Sequence, residues 1–437
     1  MRKLFTLSVC GAMVFLWVAA VWAGGIDNKT NWSVEYVRTL NRNAATDYAD
    51  IVAYNPAGVI QMDDGMYGNI SVHYIDKDYS NTIAGDESES TEPSYIPGVF
   101  ALYKQDRWAA MFAFSNYGGG GKVEYDDGTW TSQLAGLGII AAANSQLGAG
   151  GLPSTYYYTD ISNQKIKAES MYLGYTLGGA YKINDMFSVS LGMRYIDASR
   201  ESSGSITVSA ANAYVNPLTQ TQVNPDTTAD IDFSQEATGW GGILGVNIAP
   251  AKQWNVGIRY ETETQLDFEN SVDKDNLGLL TQLGIEDGKS ANRNLPAILA
   301  LGVSYQVLPK LRLESDLTYY LNSSADWDGA EDDVDNGYDF GIGAVYKIKD
   351  NLEASLGLLY TETGIDPEDM TPEAPELDCK TIGAGVAYAP MPNLVLNFAV
   401  GNAFYDKDSF TDSASGTKVE YEKNNTFLGF GLQYKFF

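Results

Sequence analysis

Side chains able to do acid–base or nucleophilic chemistry are scarce in this chain. His73 is the only histidine, and Cys10 and Cys379 are the only cysteines. A Ser-His hydrolase would have to be built on His73 alone, and neither a Cys/His zinc site nor a disulfide framework can be assembled from these residues. No catalytic residue, no metal site and no cofactor are expected. Recognition chemistry remains. Arg194, Arg259 and Arg312 stand at polar positions of alternating segments, and a guanidinium fork matches the geometry of a carboxylate. Glu261, Glu314 and Asp316 lie nearby in sequence, so an internal ion-pair ladder competes with binding of a substrate carboxylate. Asp326, Asp328, Glu331, Asp332, Asp333 and Asp335 form a dense acidic run. Such carboxylates can bridge divalent cations, or phosphate groups through them. Their spacing is not that of an EF-hand, and a solvated tip is the simpler expectation.

Apolar recognition has two candidates. Leu277, Leu279, Leu280, Leu283 and Ile285 lie between acidic flanks of the polar segment 269–294, at spacings that suit a short amphipathic helix over 276–285. Leu134, Leu137, Ile139 and Ile140, followed by Tyr156, Tyr157 and Tyr158, make a rival set in 117–162. In exposed segments such side chains need a partner, whether substrate, another loop or lipid.

The elements that must position these residues are strands. Leu311, Leu313, Ser315, Leu317, Tyr319 and Leu321 share one face, and Arg312, Glu314, Asp316, Thr318 and Tyr320 the other. The same period of two runs through 66–74, 187–195 and 254–261, as expected of half-buried sheet. Periodicity alone does not say whether the apolar face meets a core or lipid. Tight turns near 104–107, 182–186, 250–253, 308–310, 349–351 and 389–393 alternate with long polar segments near 79–93, 117–162, 209–225, 269–294, 324–335, 364–376 and 407–418. These breaks separate about fourteen strands, and an even number with short and long connections on opposite sides is the pattern of an outer-membrane barrel. Aromatic residues near strand ends (Tyr172, Tyr175, Tyr260, Tyr319, Tyr320, Tyr360 and Tyr405) suit an interfacial girdle. Leu428, Phe430, Leu432, Tyr434 and Phe436 alternate to the end of the chain, with Phe437 one step out of phase.

Composition agrees with an exported, folded chain. Among 437 residues, 28 Lys and Arg face 56 Asp and Glu, a formal charge of −28. That sign excludes a protein that reads a nucleic-acid backbone, and an aromatic content of 12% argues against disorder. Arg2 and Lys3, the apolar run 4–21 and Ala23 before Gly24 form a secretory signal with cleavage expected after residue 23. Removing it leaves 26 basic and 56 acidic groups, a charge of −30.

Residues 24–62 do not alternate. Ala44, Ala45, Ala49, Ile51, Val52 and Ala53 could line short helices, Asn55 and Pro56 mark a stop, and Gly58 permits a turn into the first strand. The stretch N-R-N-A-A-T-D-Y-A-D-I-V-A-Y-N-P-A-G-V (41–59) resembles the N-terminal plug signature of the FadL-type outer-membrane transporters of long-chain fatty acids and other hydrophobic compounds (OMPP1/FadL/TodX). N-L-P-A-I-L-A-L-G-V-S-Y (294–305) resembles a strand of that family, and the terminal aromatic strand resembles the signal read by the barrel assembly machinery.

The resemblance implies an all-β fold: a closed antiparallel transmembrane β-barrel of fourteen strands over 63–437, with a plug over 24–62 carrying its hatch at Asn55, Pro56, Ala57 and Gly58. It implies passive uptake of hydrophobic compounds across the cell outer membrane by a monomer, in contact with outer-membrane lipid and lipopolysaccharide. Long-chain fatty acids are the first expectation and monoaromatic hydrocarbons such as toluene the second; a general porin or adhesin is the alternative of another class. A lateral opening, if one is present, is expected at the run Gly118, Gly119, Gly120 and Gly121 after the third strand, where a flexible loop is the competing reading.

Overall fold

Burial decides what the alternating apolar face meets. In the first strand Ile70 and Val72 are 58% and 43% exposed, whereas Asn69, Ser71 and His73 are buried. The inversion repeats: Leu191 and Met193 face out while Ser188, Ser190 and Arg194 face in, and Leu313 and Leu317 face out while Glu314 and Asp316 face in. A sheet with apolar side chains outside and polar ones inside suits lipid as its surroundings.

The computed structural model describes residues 32–437. The expected leader 1–23, with Cys10 in it, and residues 24–31 lie outside the described residues. Fourteen strands form one closed antiparallel sheet. They are β1 (Gly65–Ile83), β2 (Ser94–Gln105), β3 (Trp108–Tyr125), β4 (Tyr158–Lys182) and β5 (Phe187–Ala210). Next come β6 (Thr227–Ala251), β7 (Trp254–Glu261, resumed at Asp267–Asp275), β8 (Ser290–Asn292, then Ile298–Leu308) and β9 (Leu311–Tyr320). The circuit ends with β10 (Tyr338–Lys349), β11 (Leu352–Glu362), β12 (Cys379–Met391), β13 (Leu394–Tyr405) and β14 (Lys418–Lys435). Asp86–Ser90 and Asp408–Thr411 are short outer additions to the hairpins that enclose them. β1 pairs with β14 from Tyr67↔Lys435 to Ile83↔Val419, so the sheet keeps no free edge. Phe437 extends this seam, its carbonyl accepting the N–H of Met66.

The six tight turns fall where expected, on the side that holds the chain's C-terminus. The long connections are partly strand. β4, β5 and β6 run for 25, 24 and 25 residues, against about 9–11 needed to span a bilayer. β4 enters the expected polar break 117–162, β5 ends inside 209–225 and β6 begins at Thr227 just beyond it, while the second part of β7 enters 269–294. Above the membrane both faces of a strand meet water, so stretches such as Glu201, Ser202 and Ser203 lose hydrophobic alternation while the backbone ladder continues.

Two of the seven tyrosines of the expected girdle turn inward. Tyr175, Tyr260 and Tyr319 are exposed, but Tyr172 and Tyr320 are buried. Neighbours in a strand point to opposite faces, so Tyr319 and Tyr320 cannot both meet lipid. Tyr320 instead donates to Asp339 Oδ2 at 2.6 Å.

Candidate functional site

Residues 32–62 lie inside the barrel. Helix α1 (Val34–Thr39) is N-capped by Ser33, whose Oγ accepts the Tyr36 N–H at 2.9 Å. A 3₁₀ turn, Ala49–Ala53, follows. Both bury apolar side chains against the lumenal wall, with Trp32, Val34, Val37, Leu40, Ile51 and Val52 in one cluster. Polar bonds tie the segment all round the circuit. Glu35 Oε1 accepts from Asn69 of β1 at 2.7 Å and from Asn397 of β13 at 2.8 Å, and burial pushes its pKa up to about 7. Arg38 donates to Ser355 of β11 at 3.1 Å. Asp316 of β9 accepts the N–H groups of Arg42 and Asn43 at 2.6 and 2.7 Å.

The residues expected to form a hatch, 55–58, meet β5, β6 and β7. Asn55 Nδ2 donates to Ala45 O at 3.0 Å and to Asn247 Oδ1 at 2.8 Å. Ala57 O accepts from Ser188 Oγ at 2.8 Å. Gly58 does not turn into β1; it opens a second 3₁₀ turn, Gly58–Gln61, and a Cβ there would strike the Asn55 amide. The wall makes room in the same way. Cβ atoms at Gly257, Gly357 and Gly383 would run into the carbonyl oxygens of Asn43, Thr39 and Val37. Gly343, Gly357 and Gly383 pair directly across β10, β11 and β12, giving the segment a flat seat.

The three arginines singled out from the sequence all face inward, and protein partners engage each of them. Arg194 pairs with Glu261 and lies 4.0 Å from the Tyr117 ring centroid. Arg259 Nη1 donates to the carbonyls of Ala53 and Tyr54 at 2.6 and 2.7 Å. Arg312 reaches Asp47 at 2.6 Å and Glu314 at 2.9 Å. Burial opposes the charge of Asp47, but Arg42 and Arg312 outweigh it and hold the carboxyl below its usual range. The ion-pair ladder is therefore the arrangement present, and two of its arginines hold residues 32–62.

A second pair of cations lies higher, at the barrel mouth. Arg200 stands 4.3 Å from the Phe268 ring centroid and donates to Tyr172 Oη at 2.6 Å. Arg293 donates to Trp327 O at 2.7 Å, and burial together with the charge of Arg200 lowers its pKa. Arg200 shares the inward parity of Arg194 along β5, which was its signal in the sequence. Arg293 lies between strand segments and has no such mark.

The two apolar candidate sets come together. α2 (Trp130–Ala149) packs across β4 and β5, and α3 (Leu279–Gln282) across β6 and β7. Leu277 and Leu279 join Ile139, Ile140, Leu147, Tyr158, Ile206 and Val208 in one cluster. The expected helix over 276–285 shrinks to four residues, because Gly278 and Gly284 adopt φ of 74° and 80° on either side. Leu280 is buried, while Leu283 and Ile285 are half-buried.

The wall is broken between β2 and β3. These strands pair only from Gly98↔Ser115 to Gln105↔Trp108, although β2 continues along β1 to Ile75↔Ser94. Opposite the gap, the β3–β4 register slips twice between Asn116 and Gly121, with φ of 90° at Gly119 and 73° at Gly121. A cavity of about 240 Å³ lies here, lined by lumenal Trp32, Lys77 and Asn425 and by Tyr95 and Met171 of the outer face.

Elsewhere the chemistry is quiet. His73 meets the edge of Trp32 at 6.0 Å, and neither of its ring nitrogens has a hydrogen-bond partner among the described residues. Cys379 is buried at the start of β12. The acidic run is spent on local turns: Glu331 accepts the N–H groups of Trp327 and Gly329 at 2.9 and 3.0 Å. Among the described residues no three acidic, histidine or cysteine side chains converge to hold a metal.

Comparison with known proteins agrees with this geometry. The family model described as "Outer membrane protein transport protein (OMPP1/FadL/TodX)" matches residues 17–437. The chain is 21% identical to a long-chain fatty acid transport protein of Escherichia coli O6:H1, over all of this chain and 99% of that one. Its fold matches the crystal structure of a Pseudomonas aeruginosa FadL homologue with TM-score 0.66 at 15% identity, covering 96% of this chain and 100% of that one. The P. putida toluene transporter TodX superposes with TM-score 0.61 at 13% identity, covering 90% and 96%. The chain belongs to the outer membrane protein transport protein family, OMPP1/FadL/TodX, whose members are outer-membrane transporters rather than enzymes.

Proposed function

We propose that the chain imports long-chain fatty acids passively, with residues 24–62 as a hatch in the barrel 63–437 and residues 1–23 as a cleaved leader. Substrate lands on the apolar surface of α2 and 277–285, where Leu277, Leu279, Leu283 and Ile285 offer it a dry contact and buried Leu280 anchors the turn beneath them. Burial gains roughly 25 cal/mol per Å² of apolar area, so a long acyl chain has much to gain at each such surface. Arg200 and Arg293, among Tyr172, Phe268 and Trp327, supply positive charge and aromatic faces for a carboxylate-headed chain. Movement at Asn55, Pro56, Ala57 and Gly58 then opens the lumen, and the substrate leaves sideways between β2 and β3 into the bilayer. The cavity in that break carries the reading, because its lining joins lumenal to lipid-facing side chains. Closure by β1 and β14 of one chain supports a monomer in direct contact with lipid and lipopolysaccharide, its terminal strand available to the assembly machinery.

The test is uptake of radiolabelled oleate and of toluene by cells that lack their own transporter and express this chain. Oleate uptake above the empty-vector control is expected. Toluene uptake alone would move the protein to hydrocarbon import, and neither, from an assembled barrel, would defeat the proposal.

A further inference from the structure

Backbone groups of a membrane barrel must find partners within the protein. Where β3 leaves β2, two solutions are open to its carbonyls: to zip back onto residues 94–97, or to be capped by a side chain. The wall uses the second. Lys77, buried on the lumenal face of β1, donates from Nζ to Gly120 O at 2.8 Å and to Lys122 O at 2.7 Å. Ser94 Oγ adds a bond to Gly120 O at 3.1 Å, and Gly120 N–H donates to Ser170 Oγ of β4 at 3.3 Å. On the β2 side, Pro97 has no N–H to contribute. The lysine reaches past one strand to serve the next, and charge-assisted bonds of this kind are about twice as strong as neutral ones. It also lines the cavity.

We propose that Lys77 is the positioning residue of the side opening: by capping the Gly120 and Lys122 carbonyls it holds β3 off β2 and keeps the passage from lumen to bilayer open. The inference rests on the lateral route proposed above. Without the ammonium group those carbonyls regain partners most directly by pairing with β2, and the glycines at 118–121 tolerate the backbone change this needs. The gap then closes while capture at the barrel mouth is untouched.

Two sets of variants separate the lysine from the route. Oleate uptake is measured at equal amounts of heat-modifiable, assembled barrel. Lys77→Met is expected to lower the maximal rate at least tenfold with the half-saturating concentration unchanged, and Lys77→Arg to restore it to within threefold of the unaltered chain. Lys77→Gln, which keeps an amide donor, replaces Lys77→Met if the latter does not assemble, with the same expected direction. The route is tested by S94C with G121C, since a Cβ at residue 121 would lie 3.2 Å from that of Ser94. Oxidation should block uptake and reduction restore it. Uptake by Lys77→Met within twofold of the unaltered chain, while the disulfide blocks, would overturn the role of Lys77 and leave the route standing. Failure of the disulfide to block would overturn the route, and the proposed role of Lys77 with it.

Discussion

Asn55 concentrates the anchoring of the proposed hatch in one amide. Its Nδ2 serves Ala45 within the segment and Asn247 in the wall, so Asn55→Ala strands the buried Ala45 carbonyl and leaves Asn247 Oδ1 with the Asn255 amide as its donor, at 2.8 Å. A stranded buried acceptor costs about 1–3 kcal/mol, enough to raise the open population of the proposed hatch several-fold or more. Combined with Pro56→Ala, it should impair coupled uptake while leaving barrel assembly intact, and equal uptake at equal surface abundance would remove the hatch role. Gly357 offers an independent check from the wall side. A side chain there meets the carbonyl of Thr39, so Gly357→Val should unseat α1 with the strand ladder preserved. The readout is faster cleavage within residues 32–62 by protease added from the periplasmic side, at unchanged heat-modifiability. Neither role of glycine could be read along the chain. Gly257 and Gly357 are the lone glycines of their strands, Gly383 has only Gly385 beside it, and inter-strand register alone brings the three against one segment. The arginines were half legible for the same reason: alternation gives the face of Arg259 and Arg312, but their partners Ala53, Tyr54 and Asp47 come from elsewhere in the sequence.

At the scale of elements, the connection between β11 and β12 behaves as a fitted piece rather than a solvated loop. Ile365, Met370 and Leu377 are buried. Lys423 of β14 donates to Pro375 O at 3.0 Å, Asn81 of β1 to Pro372 O at 2.7 Å, and Thr129, the N-cap of α2, to Glu373 Oε1 at 2.6 Å. Glu376 sits under this cover, its Oε2 accepting the Thr371 N–H at 3.1 Å. Burial pushes its pKa up to about 8 against partial relief from that N–H and from Lys423, and burial raises Glu373 as well. A raised carboxyl pKa means that the folded loop holds a proton the open loop releases. Its contribution is full below the ordinary value of 4.5 and is lost as pH rises through about 8. Hydrogen exchange of the amides of Thr371 and Leu377, corrected for intrinsic rates, should therefore show stronger protection at pH 5 than at pH 9, and Glu376→Gln should flatten the difference. A profile unchanged by that substitution would assign the loop's pH response to another group. The sequence marked 364–376 as a polar break, which locates the loop. It gave no sign of the inward fold, because the partners lie on β1, β14 and the cap of α2.

At the scale of the whole molecule, charge opposes the proposed substrate. The formal charge of −28 would become −30 on removal of the proposed leader with Arg2 and Lys3, and the carboxylates of 326–335 and 366–369 lie in connections at the long-loop end, where substrate is proposed to arrive. A fatty-acid anion approaching that end is repelled until it comes within reach of Arg200 and Arg293, while a neutral hydrocarbon meets no such barrier. Salt screens the approach, with a Debye length of about 30 Å at 0.01 M and about 8 Å at 0.15 M, whereas cations met at short range and partly buried are screened far less. Raising ionic strength over that interval should therefore speed oleate capture several-fold by detergent-solubilised protein, leave its dissociation rate nearly unchanged, and not affect toluene. Stopped-flow binding resolves the two rates. A salt-independent association rate would mean that the apolar surface of α2 and 277–285 takes up substrate as neutral acid or as aggregate, bypassing the field. A dissociation rate that rose with salt as steeply as association would place the bound carboxylate in open solvent and away from the arginine pair. The architecture favours faster association at unchanged dissociation, because β4, β5 and β6 carry the proposed capture surface well above the membrane and the two arginines lie below it, inside the mouth.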